Sequence, residues 1–181
     1  MAQAVPTLET GRLLLRPWRT DDFGRYLELM GDAVAAQHIG GGSPRAVVWR
    51  RFLQMPGAWA LQGFGMFALE EKATGRWVGQ AGPWQPDGWP GTEVGYALHP
   101  DSWGKGYATE ACTRAIDWAF DALGWDELIH CIAVANSASK AVAARLGSTF
   151  RQRIESVPPF DTAVEIWGQT RAQWDARRQS R

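Results

Sequence analysis

No stretch of this sequence limits its fold more than the one from Glu93 to Gly124. Glu93-Val94-Gly95-Tyr96-Ala97-Leu98 reads as a strand, and His99-Pro100-Asp101-Ser102 leads it into Trp103-Gly104-Lys105-Gly106-Tyr107-Ala108. Cys112, Ala115, Ile116, Ala119, Phe120 and Leu123 then recur at helical spacing until Gly124 ends the pattern. A strand that turns through glycines into a long one-faced helix must lay that helix back on a sheet. The turn also exposes consecutive backbone N–H groups at the positive end of the helix dipole, and the missing Cβ of glycine lets an anion approach them. A phosphate is the ligand this arrangement favours; a bare structural turn is the other reading. A P-loop matches poorly, because Lys105 is followed by Gly106 rather than Ser or Thr, and a dinucleotide fingerprint would need glycine where Thr109 stands.

The rest of the chain supplies the sheet and its cover. Arg12-Leu13-Leu14-Leu15-Arg16 is a first strand that stops at Pro17. Thr20-Asp21-Asp22 offers a cap and acids for a helix with Phe23, Tyr26, Leu27 and Met30 on one face. After the Gly40–Pro44 loop, Arg45 to Gln54 predicts a second helix with Val48, Phe52 and Leu53 at helical spacing, broken by Pro56-Gly57. Gly65–Glu70 and Arg76–Ala81 predict a hairpin around Gly75. Gly82 to Gly91 holds three prolines and several glycines and reads as an irregular loop. Leu128 to Val134 is a further strand, and Asn136 or Ser137 caps a short helix ending at Leu146 before Gly147. Phe150–Val157 and Val164–Gly168 close the sheet. A hairpin followed by alternating helices and strands implies an α+β chain with a mixed sheet in an α/β/α arrangement. With no linker or repeat, residues 1–181 read as one domain.

Composition removes several functions. At 45% hydrophobic and 21% charged the chain has material for a core, and its formal net charge of zero gives no basic excess for a nucleic acid. The arginines at the end, Arg171, Arg177, Arg178 and Arg181, read as a frayed basic terminus. No apolar run approaches the ~18–20 residues of a membrane span. Met1 to Thr10 lacks a signal-peptide pattern, so the cytoplasm is the expected location. Cys112 and Cys131 have no metal or redox spacing and read as buried free thiols. His38, His99 and His130 fall on different elements, which argues against a metal site; His130 reads as a strand residue with a structural contact. Eleven tryptophans exceed what packing needs, and Trp84 and Trp89 on the proline-rich loop are candidates for substrate contact, as is His99 just past the strand.

Taken in order, these segments resemble the GNAT superfamily of N-acetyltransferases, in particular its branch similar to RimJ and RimL. Arg12-Leu13-Leu14-Leu15-Arg16-Pro17-Trp18 resembles the opening of that branch, and Glu93–Leu98 its central strand. Trp103-Gly104-Lys105-Gly106-Tyr107-Ala108 resembles its pyrophosphate loop, and Asn136-x-x-Ser139 with Val142–Gly147 its later cofactor motif. The resemblance implies the acyl-CoA N-acyltransferase fold, with a mostly antiparallel sheet splayed into a V. It implies acetyl-CoA as acyl donor and an amine as acceptor, with two copies of the chain allowed to assemble. Pantetheine would pair with backbone of Ala97 and Leu98, the pyrophosphate would meet the amides of Trp103 to Ala108, and Asn136 and Ser139 would lie near the pantetheine arm. Leu98 would offer the N–H for the oxyanion.

An alkyl amine is protonated near neutral pH, so a carboxylate must take its proton, directly or through water. Glu93 is the first candidate and Glu70, on the neighbouring strand, the reserve. The tyrosine that protonates the leaving thiolate in many members is replaced here by Ala143; the resemblance to the RimL-like branch implies Ser139 for that role, and the residues themselves also allow Ser139 to cap its helix. The thioester is already activated, so neither cysteine is needed as a nucleophile. Two readings follow: an enzyme acetylating a primary amine on a protein N-terminus or a small molecule, and a catalytically silent acyl-CoA-binding module.

Overall fold

The computed structural model describes residues 4–157 and 162–180; residues 1–3 and 158–161 lie outside the described residues, as does Arg181 of the C-terminal arginines. In chain order the strands are β1 Leu8–Glu9, β2 Leu13–Arg16, β3 Phe67–Glu71, β4 Arg76–Trp84, β5 Glu93–Leu98, β6 Glu127–Ala133, β7 Thr149–Ile154 and β8 Val164–Thr170. The helices are α1 Phe23–Gly31, α2 Arg45–Gln62, α3 Tyr107–Ala122, α4 Ser137–Leu146 and α5 Arg171–Gln179. All eight strands form one sheet in the order β1-β2-β3-β4-β5-β6-β8-β7, and every neighbouring pair is antiparallel except β5 with β6.

The helices cover both faces, as the sequence pattern implies. On one face α1 and α2 bury Tyr26, Leu29, Val48 and Phe52 against Ala68, Trp77 and Ala97. On the other, the Ala111, Cys112, Ala115, Ile116 and Phe120 face of α3 packs on Leu13, Leu15, Leu69 and Val94. The small residues of α3 let it lie close to the sheet, while Ile116 and Phe120 fill the space left between strands.

The structure corrects three expectations. Helix α2 does not break at Pro56-Gly57 but runs to Gln62, where Gly63 takes a left-handed conformation at φ 77°. Its buried row of Val48, Phe52, Met55 and Trp59 keeps the helix on the sheet and outweighs the backbone bond that proline removes. Strand β4 continues through Gly82-Pro83-Trp84, opposite Gly95, Val94 and Glu93. Its pairing with β3 ends at Phe67 and Ala81, so Pro83 stands where β4 has lost that neighbour and its missing N–H is not required. The third correction concerns the C-terminal segment, which is the helix α5 rather than a frayed end. Thr170 accepts from the Gln173 amide, Gln173 reaches back to the Thr170 amide, and Trp174 is fully buried.

Candidate functional site

The sheet divides between its two parallel strands. β5 stays paired with β4 along its length, Gly79 with Leu98 through Trp84 with Glu93, but shares one register pair with β6, Glu93 with Ile129. Beyond that pair the strands part into a V whose apex lies at Glu93. Backbone polarity along β5 follows from His99, whose N–H donates to Val78 O at 3.0 Å. Alternate residues of an antiparallel strand point the same way, so Ala97 and Gly95 also address β4, while Val94, Tyr96 and Leu98 face the V. Of the two residues expected to pair with a pantetheine arm, Ala97 turns its backbone to Gln80 of β4, while Leu98, with Tyr96, turns its backbone to the V. The Leu98 carbonyl already accepts the Trp103 indole N–H at 2.8 Å, which leaves the Leu98 amide on the open side.

Glu93 is 6% exposed and has its carboxylate at the apex. The Cys131 amide donates to Oε1 at 3.0 Å and the Trp89 indole to Oε2 at 2.6 Å. Burial pushes the Glu93 carboxyl up to about 7, against the opposing pull of those two donors. Gly95 keeps the neighbouring space open: a Cβ there would stand 2.8 Å from Met66 Cε and 3.4 Å from Glu93 Oε1. Of the two tryptophans singled out in the sequence, Trp84 pairs with Glu93 across β4 and β5, and Trp89 bonds the carboxylate itself. Trp89, seen from sequence as a substrate contact, also packs against the cluster of Ile129, Val157, Val164 and Ile166 and serves as a hydrogen-bond donor to Glu93.

At the open end of β5, Gly104 and Gly106 have φ of 73° and 79°, a region that costs other residues strain. α3 starts at Tyr107, and its first-turn amides have no intrahelical acceptors. The turn is braced from behind by Arg12, which donates to Lys105 O at 2.8 Å, forms an ion pair with Glu110 at 2.6 Å and lies 4.6 Å from the centre of the Tyr107 ring. Sequence reading assigned no such role to Arg12 and Glu110, 98 residues apart, and no local pattern relates them.

Asn136 Oδ1 caps α4 by accepting the Ser139 amide at 3.1 Å. The Ser139 hydroxyl is not the cap; it lies 3.0 Å from the Tyr96 hydroxyl, bridging β5 to α4 across the V. Burial pushes the Tyr96 phenol up to about 12, so it stays protonated. Tyr96 was missed in the sequence because only the splay shows which side of β5 is free. Ala143 is buried and brings no hydroxyl.

Two other candidates are engaged elsewhere. Glu70 Oε2 meets Arg16 at 2.6 Å and Arg19 at 3.1 Å, two strands away from the V, which removes it as the reserve base. His99, just past the end of β5, stands between Glu28 and Asp101, at 3.0 and 2.9 Å, beside Arg25 and Arg76. Burial raises the thiol of Cys112 to about 12, and burial together with the adjacent Glu93 raises that of Cys131 further, so neither supplies a nucleophile at neutral pH. Among the described residues no helix is long and apolar enough to cross a membrane.

A cleft between parallel strands, a glycine turn at a helix start and a buried carboxylate at the apex fit an acyl-CoA thioester: the turn suits its pyrophosphate and the free edge of β5 its amide-bearing arm. Comparison with known proteins points to the same group. The family model for an acetyltransferase (GNAT) domain matches residues 12–149. FsC-acetyl coenzyme A-N(2)-transacetylase of Aspergillus fumigatus is 30% identical over 187 residues, covering 95% of this chain and 79% of that protein. An acetyltransferase from Agrobacterium tumefaciens superposes with a TM-score of 0.83 at 29% identity, covering 94% of this chain and 98% of the other. RimJ of Mycobacterium smegmatis, solved with CoA-disulfide, gives 0.68 at 21% identity over 89% of this chain and 83% of its own, a likeness of fold alone. Family model, relative and cleft agree that the chain belongs to the GNAT acetyltransferases, enzymes that draw their acetyl group from acetyl-CoA.

Proposed function

We propose that this acetyltransferase, one domain over residues 1–181, moves the acetyl group directly to a primary amine, with Glu93 as general base. The supporting observation is the buried Glu93 carboxyl at the apex of the V, raised to about 7. A base of that strength is half ionised at neutral pH and can accept the proton of an incoming ammonium or of an attacking amine. A silent binding module could hold the strands apart with any acceptor for the Cys131 amide, whereas a carboxyl raised toward neutrality also suits proton transfer.

Bound acetyl-CoA supplies an activated thioester carbonyl. The first-turn amides of α3 and the bend from Trp103 to Ala108 hold its diphosphate, and the inward edge of β5 at Tyr96 and Leu98 holds its arm. An amide of that edge meets the developing oxyanion, where one oriented donor is worth ~2.7–4 kcal/mol. Tyr96 lies roughly 7 Å nearer the apex than Leu98 at the usual strand rise, so its N–H suits a carbonyl within reach of Glu93. The Ser139 hydroxyl, fixed by Tyr96, would give its proton to the departing thiolate of bound acetyl-CoA, and Asn136 orients Ser139 by accepting its amide. Trp84 and Trp89 frame the acceptor, a protein N-terminus or a small-molecule amine. The opening motif through Trp18 and Asn136-x-x-Ser139 favour the RimJ/RimL-like branch, and the name of the Aspergillus relative specifies transfer at an N(2) position. The two free cysteines suit a cytoplasmic, reducing setting.

The test is thiol release from acetyl-CoA against N-terminal peptides, polyamines and aminoglycosides, with Glu93→Gln alongside. The variant is expected to turn over about 10²–10⁴-fold more slowly with an unchanged acetyl-CoA Kd, because Gln keeps an oxygen for the Cys131 amide. A full-rate variant removes Glu93 from the mechanism.

A further inference from the structure

Bonds in a parallel ladder recur every two residues, so after Glu93 and Ile129 the next would join the Cys131 amide to the Val94 carbonyl. Each of these groups is taken by a side chain instead. Val94 O lies 2.7 Å from His130 Nδ1, and the Cys131 amide donates to Glu93. A carbonyl only accepts, so His130 has its proton on Nδ1 and its Nε2 accepts from the Ser148 hydroxyl at 3.0 Å. Ser148 Oγ in turn accepts from Gln169 Nε2 at 3.0 Å, which also reaches Leu146 O at 3.3 Å. His130, Ser148 and Gln169 are all buried, so the ring is fixed in one tautomer by a donor series closed to water.

We propose that His130 is a positioning residue that keeps the acyl-CoA cleft open by occupying the Val94 carbonyl, so that β6 does not zip onto β5. The inference rests on reading the V as the acyl-CoA site. Without the ring, Val94 O is a buried acceptor whose nearest remedy is the Cys131 amide; the step after that ties the Tyr96 amide to Cys131 O and closes the edge that the arm needs. The role is absent from the sequence pattern, where His130 is one strand residue among seven; its expected structural contact turns out to be with the strand across the cleft.

Three variants of the full chain separate the wedge from general packing. His130→Asn puts an amide N–H about where Nδ1 stands and retains the bond to Val94; His130→Gln reaches Ser148 but not Val94; His130→Leu loses both. Acetyl-CoA Kd is measured by calorimetry and amide hydrogen exchange at Tyr96 by NMR without ligand. The Asn variant is expected to match the wild type, while Gln and Leu bind roughly tenfold more weakly or worse and protect the Tyr96 amide from exchange. A folded Gln variant with wild-type affinity and wild-type exchange overturns the proposal. If Leu does not fold, the contrast between Asn and Gln decides alone. Failure of the wild type to bind acetyl-CoA sinks the cofactor reading instead, and the Tyr96 exchange in the Gln variant still judges the wedge.

Discussion

Glu93 answers two demands that pull its chemistry in opposite directions. Its carboxylate caps the Cys131 amide at the apex, which favours the charged form, while burial favours the neutral one and prevails. Folded Glu93 therefore holds its proton more tightly than the unfolded group at 4.5, and the stability linked to it is complete below that value and lost as pH rises through about 7. Relative to the wild type, Glu93→Gln is expected to gain up to about 3 kcal/mol of stability between pH 5 and pH 8 in calorimetry, on top of a constant cost because its amide NH2 faces the Trp89 indole N–H. A constant difference across that range would mean that the carboxyl does not titrate in the fold. The same residue should make kcat/KM rise with pH around 7, so activity and stability exchange places over one window. Position on the central strand made Glu93 legible in the sequence. Its partners were not, since Cys131 follows it by 38 residues and meets it only through the β5–β6 pairing.

Elements in this chain owe their limits to tertiary contacts as much as to local signals. The glycine turn was readable because two residues at positive φ admit few sequences. Gly104→Ala and Gly106→Ala are expected to cost about 1 kcal/mol each in urea unfolding and to weaken acetyl-CoA binding in calorimetry, with Gly104 the cleaner test because a Cβ there meets nothing within 4 Å. Wild-type affinity in both would remove the turn from the cofactor site. α5 is the opposite case: its arginines suggested a loose end, but the helix is anchored by Trp174, which donates to Asp117 at 2.9 Å and is fully buried in the core under α3. Trp174→Ala should destabilise by about 3–5 kcal/mol in denaturant titration. The Thr170-x-x-Gln173 capping box was the local signal that could have announced this helix.

At the scale of the molecule, one sheet makes both the core and the cleft. Strands β1 to β5 form one side of the gap after Glu93 and β6, β8 and β7 the other, so the gap is bounded by two paired sets of strands rather than by loops. Arg25, Arg76 and His99 converge on Asp101 and tie α1 and β4 to the segment leading into the glycine turn. A ligand that spans the gap joins the halves, so acetyl-CoA at a hundredfold excess over Kd is expected to add about 2.7 kcal/mol to unfolding, read as a rise in Tm. No shift at any concentration would contradict binding to the native state.

By itself the sequence determined the order of the strands and helices between β2 and β8, the three layers, the glycine turn and the place of Glu93 on the central strand, because each is written in local periodicity or in residues within one turn of one another; it missed β1 and α5. Tertiary structure alone decided which backbone edge of β5 is free, that Arg12 braces the turn, that Tyr96 meets Ser139, that Glu70 is held by Arg16 and Arg19 and His99 lies between Glu28 and Asp101, and that α2 passes through Pro56. These depend on register between strands and on partners tens of residues apart, and no local pattern encodes either. The V is the clearest instance: its two strands read alike in sequence, and what parts them is two side chains standing where a ladder bond would otherwise form.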